Sequence, residues 1–554
     1  INIVSQGKWE KSKNLPYFLL QINFVIMIIN TKCLIVSFLC LIGSGNSLRI
    51  LFMAPFPVPS HWFWLNSIVD GLLDRGHEVT AITNFRAQKP HTNYTEIILD
   101  PPFDLLKYSP EHLIYEMKYR SDFSNLFLIW NVGLLTTKYA LEHPKVAQLI
   151  RSDTEEFDLV ISEQFGQEAF LMFAHKYNAP LVTISTYDFT DYLDLTAGFR
   201  APLSFVPHIL LPYTDSMTYT QRIYNLFISL LDRIVRWLFY IPAQNALVTK
   251  NFEVLERKLG PLPTVQELEQ SISVILFNSH QATSPPRPEM PGFIKIGGIH
   301  IKQPKALPTK IKDFLDGAKD GAILFSMGSH ISASHFSPEK IRSFIRVFGK
   351  MKQRILWKYE EDDLKDLPSN VLLQKWIPQV DVLAHKNIIL FINHGGIFGT
   401  QESIHYGVPM LTIPFYGDQF RNAYRSQARG HALVLEYDEI TEENLSQKLQ
   451  TLLTDNTFQE RAKKVSHLFR DNLESPLNTA LYWIEYVGRN RGADHLKSAA
   501  RNLNWFQYLL LDVIGLFVAV YLVIATFMYF MAERWCGKKS TTKVKNVSKN
   551  KKSN

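Results

Sequence analysis

Trp376, His394, Gly395, Gly396 and Glu402 place an indole, an imidazole, a glycine pair and a carboxylate within one short window. Gly395-Gly396 follows the apolar run Ile388 to Ile392 and precedes a helical pattern, and glycines let a backbone turn tightly and approach a ligand. Unpaired N–H groups and the helix dipole at such a turn favour phosphate. His394 adds a side-chain donor, Glu402 offers a carboxylate to a diol, and Trp376 offers a flat face to a base. Phosphate, ribose and base recognition are therefore expected together.

The elements that must position these groups are legible around them. Ile388 to Ile392 reads as a buried parallel strand. A helix follows to about Tyr406, where Gly407 stops it, and Val408 to Pro414 reads as the next strand.

Extended from Trp376 to Gln419, the window spans 44 positions, and its spacing resembles the signature of the UDP-glycosyltransferases. The likeness is greatest to the membrane-bound animal UDP-glucuronosyltransferase branch. The resemblance implies that Trp376 stacks on uracil and that Gln379 and Glu402 hold the ribose hydroxyls. It further implies that His394 meets the diphosphate and that Asp418 and Gln419 meet donor-sugar hydroxyls. Asn393 stands where members usually carry Thr, and Phe398 where vertebrate members usually carry Asn. Phe398 can donate no side-chain hydrogen bond, so backbone amides would carry that load.

Moving a sugar onto a hydroxyl needs a base for the acceptor proton and stabilisation of departing UDP. His61, in the pair Ser60-His61 at a loop-to-helix junction after the first strand, fits the base and is the family's base by resemblance. Its carboxylate partner, usually Asp, is here Glu163, one methylene longer. His394, the amides near Gly395-Gly396 and Ser329 would stabilise the leaving group, with Arg287 as a phosphate or carboxylate partner. No cluster with metal-ligand spacing accompanies them, so transfer is expected without metal or cofactor, the UDP-sugar being a co-substrate. With no enzyme nucleophile, attack from the far side inverts the anomeric carbon. The alternative is a catalytically weak member that binds lipophilic ligands without turnover. The matched residues address UDP and hydroxyls shared by glucose and glucuronic acid, so both donors stand.

Along the chain, Leu48 to Phe56 reads as a strand, Ser60 as the N-cap of a helix running to Gly76, and Glu78 to Thr83 as the next strand. The unit recurs at Phe157–Ser162, Gly166–Tyr177 and Pro180–Ser185. After the Pro-rich segment Thr283 to Pro288 it recurs again at Ala322–Ser326, a helix from Ser337, and Arg354–Tyr359. The fold class expected is α/β of GT-B type, as the family implies: two doubly wound, Rossmann-like domains facing a cleft. The acceptor domain would be 48–282, a linker 283–310, and the UDP-sugar domain 311–500, its helices after Thr457 leading back towards a membrane.

The 554 residues, 46% hydrophobic, suffice for two cores. The net charge of +7 belongs to the tail, where Arg534 and seven lysines meet no acid, so no nucleic-acid face is implied. Lys32, the apolar run Cys33 to Ile42 and the small residues to Ser47 read as a signal peptide starting at Met27, with 1–26 as untranslated or mis-annotated sequence. Val513 to Ala532 is a run of 20 uncharged residues, about 30 Å as a helix, bounded by Asp512 and the basic tail 533–554. The expected topology is single-pass type I in the endoplasmic reticulum membrane, body in the lumen and tail in the cytosol, with Lys551-Lys552 resembling a dilysine retrieval signal. Cys33, Cys40 and Cys536 leave none in the body, which excludes cysteine catalysis and cysteine-ligated zinc there. Two aromatic-rich stretches, Phe103, Leu105, Leu106, Tyr108, Tyr115, Phe123, Phe127 and Trp130, then Tyr224 to Ile241, read as a pocket for small lipophilic acceptors and a surface resting on the bilayer. Self-association is left open.

Overall fold

The computed structural model describes residues 47–87, 89–103, 119–329, 331–361 and 364–549. The signal segment up to Asn46, Leu105, Leu106, Tyr108, Tyr115 and Lys551-Lys552 lie outside them. Strands that are apolar on both faces must be covered on both, and here they form two parallel sheets beneath helices. The first has β1 (Arg49–Ala54), β2 (Glu78–Thr83), β3 (Tyr94–Ile98), β4 (Leu159–Glu163), β5 (Leu181–Ser185), β6 (Ile272–Phe277) and β7 (Phe293–Lys295). Its order is β3-β2-β1-β4-β5-β6-β7. The second has β8 (Ala322–Phe325), β9 (Arg354–Lys358), β10 (Val371–Gln374), β11 (Ile388–Asn393), β12 (Met410–Thr412) and β13 (Ala432–Val434), in the order β10-β9-β8-β11-β12-β13.

In each sheet the order reverses beside the first strand, with β1 between β2 and β4 and β8 between β9 and β11. Loops leaving the carboxyl ends of such strands diverge and open a crevice. His61 and Glu163 follow or end β1 and β4, while Ser329 and His394 follow β8 and β11, so each switch point carries one half of the expected chemistry.

Helix α1 (Pro59–Asp74) follows β1. The expected cap Ser60 is displaced: Val58 is the N-cap and Pro59 the first helical residue. Proline lacks the N–H that would be orphaned there and has its φ preset, so the helix starts earlier. Helix α2 (Asp122–Glu142), capped by Ser121, crosses Gly166 so closely that a Cβ on Gly133 would lie 3.0 Å from the Gly166 oxygen. Gly166 itself has φ +91, so the segment expected as one helix from Gly166 becomes a 3₁₀ turn at Glu168–Leu171 and a short helix Met172–Tyr177. Helix α3 (Tyr219–Val235) begins with a Thr218–Gln221 capping box and continues through a π-helical segment, Arg236–Tyr240.

In the second half, α4 (Ile397–Tyr406) ends where Gly407 adopts φ +67, as its sequence indicates. Strand β12 is shorter than the expected Val408–Pro414, because Pro409 and Pro414 bracket it and neither can donate to a ladder. Helix α5 (Asp418–Ala428) follows. Beyond it, α6 (Asn456–Arg470) leads to α7 (Pro476–Arg489), which returns to the first sheet. Leu481 and Ile484 of α7 are buried with Ile50, Leu65 and Leu72, and a Cβ on Gly71 would lie 2.9 Å from Leu481 Cδ1. The chain thus crosses twice between the sheets before α8 (Leu511–Lys549), whose exposed stretch Leu511–Trp535 is long and apolar enough to cross a membrane.

Candidate active site

A cleft of about 820 Å³ lies between the two switch points, lined by His61, Ser329, Trp376, Gln379, His394, Gly396, Glu402, Asp418 and Gln419. Residues 358 positions apart in the chain share this space. On the first sheet's side His61 sits in the opening turn of α1, only 4% exposed. Its Nδ1 is 2.6 Å from Oε1 of Glu163 at the end of β4. Thr186, just past β5, lies 3.0 Å from the same nitrogen and donates to Glu163 Oε1 at 3.1 Å. With Nδ1 directed at the carboxylate, Nε2 is the nitrogen available to the cleft. The longer Glu163 side chain therefore reaches bonding distance. Sequence reading missed Thr186; its one signal is its place at the carboxyl end of the strand beside β4.

Aromatic rings hold the imidazole: Phe56 at 5.2 Å, Phe165 at 5.0 Å and Tyr187 at 5.4 Å between centroids. Burial pushes the Tyr187 phenol well above its ordinary range, so it stays neutral. Leu128, Ile129 and Val132 of α2 extend this wall as an apolar lining.

On the other side, the His394 imidazole lies between two glycines. A Cβ would come within 2.7 Å of it at Gly328 and 2.3 Å at Gly396, so neither position tolerates a side chain without moving the ring. Gly395 does not line the cleft. Its φ is +80, its N–H donates to Asn393 Oδ1 at 2.8 Å, and a Cβ would lie 2.8 Å from the Gln419 oxygen. Asn393 thus uses its side chain to set the turn. Gly396 is the N-cap of α4, and Ile397, Phe398 and Gly399 of its first turn line the cleft. The positive end of the helix dipole therefore meets the ligand space.

Trp376 is 63% exposed with its ring in the cleft wall. Gln379 Nε2 donates to Glu402 Oε2 at 2.6 Å. Gln419, which lines the cleft, accepts through Oε1 from the N–H groups of Phe415 and Tyr416 at 2.9 and 3.3 Å, and Nε2 is its remaining donor. Asn422 Nδ2 donates to Asp418 Oδ2 at 2.7 Å. Burial pushes the Asp418 carboxyl up, with Arg421 and Asn422 favouring its charged form.

Arg287 corrects an expectation. It does not line the cleft; its side chain is 3% exposed and forms a two-pronged pair with Asp194, Nη1 to Oδ2 at 2.9 Å. Its guanidinium lies 4.1 Å from the Phe189 ring centroid. A buried carboxylate needs a partner, and Arg287 is committed to that one rather than to a phosphate. The sheets are joined nearby by Arg425 on Asp188 at 2.8 Å and by Arg421 Nη1 on the Phe189 carbonyl at 3.2 Å.

Comparison with known proteins agrees with this geometry. The family described as "UDP-glucoronosyl and UDP-glucosyl transferase" matches residues 51–549. UDP-glycosyltransferase UGT5 of Dactylopius coccus is 34% identical over 88% of this chain and 92% of its own length. Human UDP-glucuronosyltransferase 1A9 is 32% identical over 88% and 93%. The calicheamicin glycosyltransferase CalG4 superposes with a TM-score of 0.54 at 19% identity, over 80% of this chain and 99% of that one. VinC, solved with dTDP, gives 0.53 at 16%, over 80% and 100%. These structures share the GT-B fold, two parallel Rossmann-type sheets. The chain belongs to the UDP-glucuronosyl and UDP-glucosyl transferase family and is a glycosyltransferase that takes its sugar from a UDP-sugar.

Proposed function

We propose that the protein transfers a glucosyl or glucuronosyl group to small lipophilic acceptors with inversion, with His61 as general base. The observation that carries this reading is the 2.6 Å contact between His61 Nδ1 and Glu163 at the wall of the cleft that also holds Trp376, His394 and Glu402. His61 Nε2 would take the acceptor proton as the acceptor oxygen attacks the anomeric carbon. The bond from that carbon to the diphosphate breaks from the opposite face, and UDP leaves with its electrons. Glu163 would stabilise the imidazolium, while His394, Ser329 and the first-turn amides of α4 would face the growing negative charge. The apolar wall of α2 and the rings about His61 suit a flat, lipophilic acceptor. Glu163 stands where the family usually carries Asp, and the bonding distance it reaches favours the catalytic reading over a ligand binder without turnover.

Membrane residence in the endoplasmic reticulum, with the body in the lumen, belongs to the same proposal. It is supported by α8 and by the unusual polarity of α3. That helix buries Asn225 and Asp232, which hydrogen-bond the Val206 carbonyl and the Trp130 indole. It exposes Leu226, Phe227, Leu230 and Ile234, followed by Trp237 and Phe239. A helix with its polar face inside and its apolar face outside suits a lipid surface. The Tyr508 ring, three residues before α8, lies 5.1 Å from the Arg200 guanidinium, which supports a span that begins beside this surface.

Full-length protein in membranes, supplied with several UDP-sugars and a panel of phenols, should give an inverted glycoside with at least one pair, and His61→Ala should not. Retention at the anomeric carbon, or full activity of His61→Ala, would refute the mechanism.

A further inference from the structure

Resting on the donor-site reading above, we infer that His300 positions the Glu402 carboxylate for the ribose and so sets donor affinity. His300 comes from the linker after β7, in the sequence Gly297-Gly298-Ile299-His300. Two backbone contacts press that linker onto α4. Gly298, at φ +94, donates its N–H to Gln401 Oε1 at 3.1 Å, and a Cβ on Gly297 would lie 2.7 Å from the Ser279 oxygen and 2.9 Å from Gln401 Nε2. Gln401 immediately precedes Glu402. The glycine pair therefore lets the linker come close enough for the His300 ring to lie over the carboxylate.

The ring is 11% exposed and lines the cleft, with Nε2 3.3 Å from Glu402 Oε1. Gln379 holds the other oxygen, Oε2, at 2.6 Å. The Phe398 ring, one turn before Glu402 on α4, stands edge-on to His300 at 5.6 Å and 84° and fixes the imidazole plane. Neither ring nitrogen of His300 completes a hydrogen bond to the described protein atoms: the approach to Oε1 has the distance but not the alignment. A buried imidazole with two unsatisfied nitrogens is costly unless a ligand or a small closure completes its bonds. Glutamate has a broad terminal torsion and loses substantial rotamer freedom when fixed. With Oε2 bonded to Gln379 and His300 standing 3.3 Å from Oε1, little of that freedom remains to be lost when the nucleotide arrives. His300 and Gln379 thus act as a pair of clamps, one from the linker and one from the short helix Gln379–Leu383 after β10.

The test is a cycle on the full-length protein with UDP and 2′,3′-dideoxy-UDP as probes. His300→Ala should weaken UDP about tenfold and raise the KM for the UDP-sugar similarly, with kcat within about twofold. It should not weaken dideoxy-UDP further, since the group that Glu402 would hold is missing. His300→Gln, which keeps an N–H donor on a long side chain, should recover most of the loss. Unchanged UDP affinity in His300→Ala, an equal loss for both probes, or a fall in kcat at constant KM would each overturn the inference. Failure of the wild type to bind UDP would instead overturn the donor-site reading on which it stands.

Discussion

The Phe398 ring of α4 lies edge-on to the His61 imidazole of α1, with centroids 6.3 Å apart at 67°. It also lies 6.4 Å from Trp64. One aromatic side chain therefore connects the helix that opens the donor side to the helix that carries the proposed base. Where the family resemblance leads one to expect Asn, this chain has an aromatic ring that forms an apolar bridge. Phe398→Ala should lower stability by about 1–3 kcal/mol, less than for a fully buried Phe, because the ring is only partly buried. It should raise the acceptor KM more than it weakens UDP. Thermal unfolding with calorimetric UDP titration checks this; a large loss of UDP affinity at unchanged acceptor KM would contradict it.

Glu163 and Thr186 share the same His61 nitrogen, so their removal should not be additive. Glu163→Gln keeps the size but removes the charge facing the imidazolium, and turnover should fall by about 10²-fold or more. Glu163→Asp keeps the charge but withdraws it by about one bond, about 1.5 Å, and should retain more activity. Thr186→Val should cost less than either. Equal, near-wild-type rates for both Glu163 variants would remove the residue from the mechanism.

Much of this site could be read before the fold was known, for a local reason. The strand before His394, the Gly395-Gly396 turn and the Gly407 stop are each written in adjacent residues. Thr186 and Arg287 were not legible, because their roles depend on which strands become neighbours. Thr186 matters only since β5 lies beside β4, and Arg287 meets Asp194 from 93 positions away. The start of α1 was misplaced because Ser60 is a strong capping type, yet Pro59 already satisfies the first helical position. The apolar stretch Tyr224 to Ile241 reads as a surface for the bilayer, but which polar groups α3 turns inwards, Asn225 and Asp232, depends on their distant partners Val206 and Trp130.

Trp376 is a test of exposure against function. A tryptophan 63% exposed contributes little to the core, so Trp376→Ala should change stability by less than about 0.5 kcal/mol. If it stacks on uracil, UDP should bind about 1–3 kcal/mol more weakly, the range for base–aromatic contacts. Unchanged UDP affinity in calorimetry would assign the uracil elsewhere.

His431 should give the stability a pH dependence. Burial, reinforced by Arg429, lowers its pKa to about 4 in the fold, below the ordinary value of 6.5. Between those values the unfolded chain binds the proton and the folded chain does not. The His431 contribution is therefore complete above about pH 6.5 and is lost as pH falls towards 4. Buried carboxyls raised by burial, such as Glu269 at about 7, act in the opposite direction, so the comparison must be with a variant. His431→Phe should gain in melting temperature relative to wild type as pH is lowered from 7 to 5. A constant difference across that range would mean that the imidazole takes up its proton equally in the folded and the unfolded chain.

The proposed orientation places Asn93 and Asn444 in the lumen and Asn546 in the cytosol, each beginning an Asn-X-Ser/Thr sequence. The two lumenal sites differ structurally. Asn93 lies in the turn ahead of β3, where its side chain only accepts a long bond from Thr92 Oγ1 at 3.4 Å. Asn444 sits in the first turn of the helix Glu442–Thr454, with its N–H bonded to Thr441 Oγ1 at 3.1 Å and its Nδ2 to the Glu439 carbonyl at 2.9 Å. A glycan on Asn444 would crowd that carbonyl and loosen the helix start, whereas one on Asn93 would extend into solvent. Asn93→Gln should therefore abolish most of the mobility shift produced by endoglycosidase, and Asn444→Gln little of it. Asn546→Gln should have no effect. A glycan found on Asn546 would invert the topology, and with it the compartment in which the cleft between His61 and His394 meets its substrates.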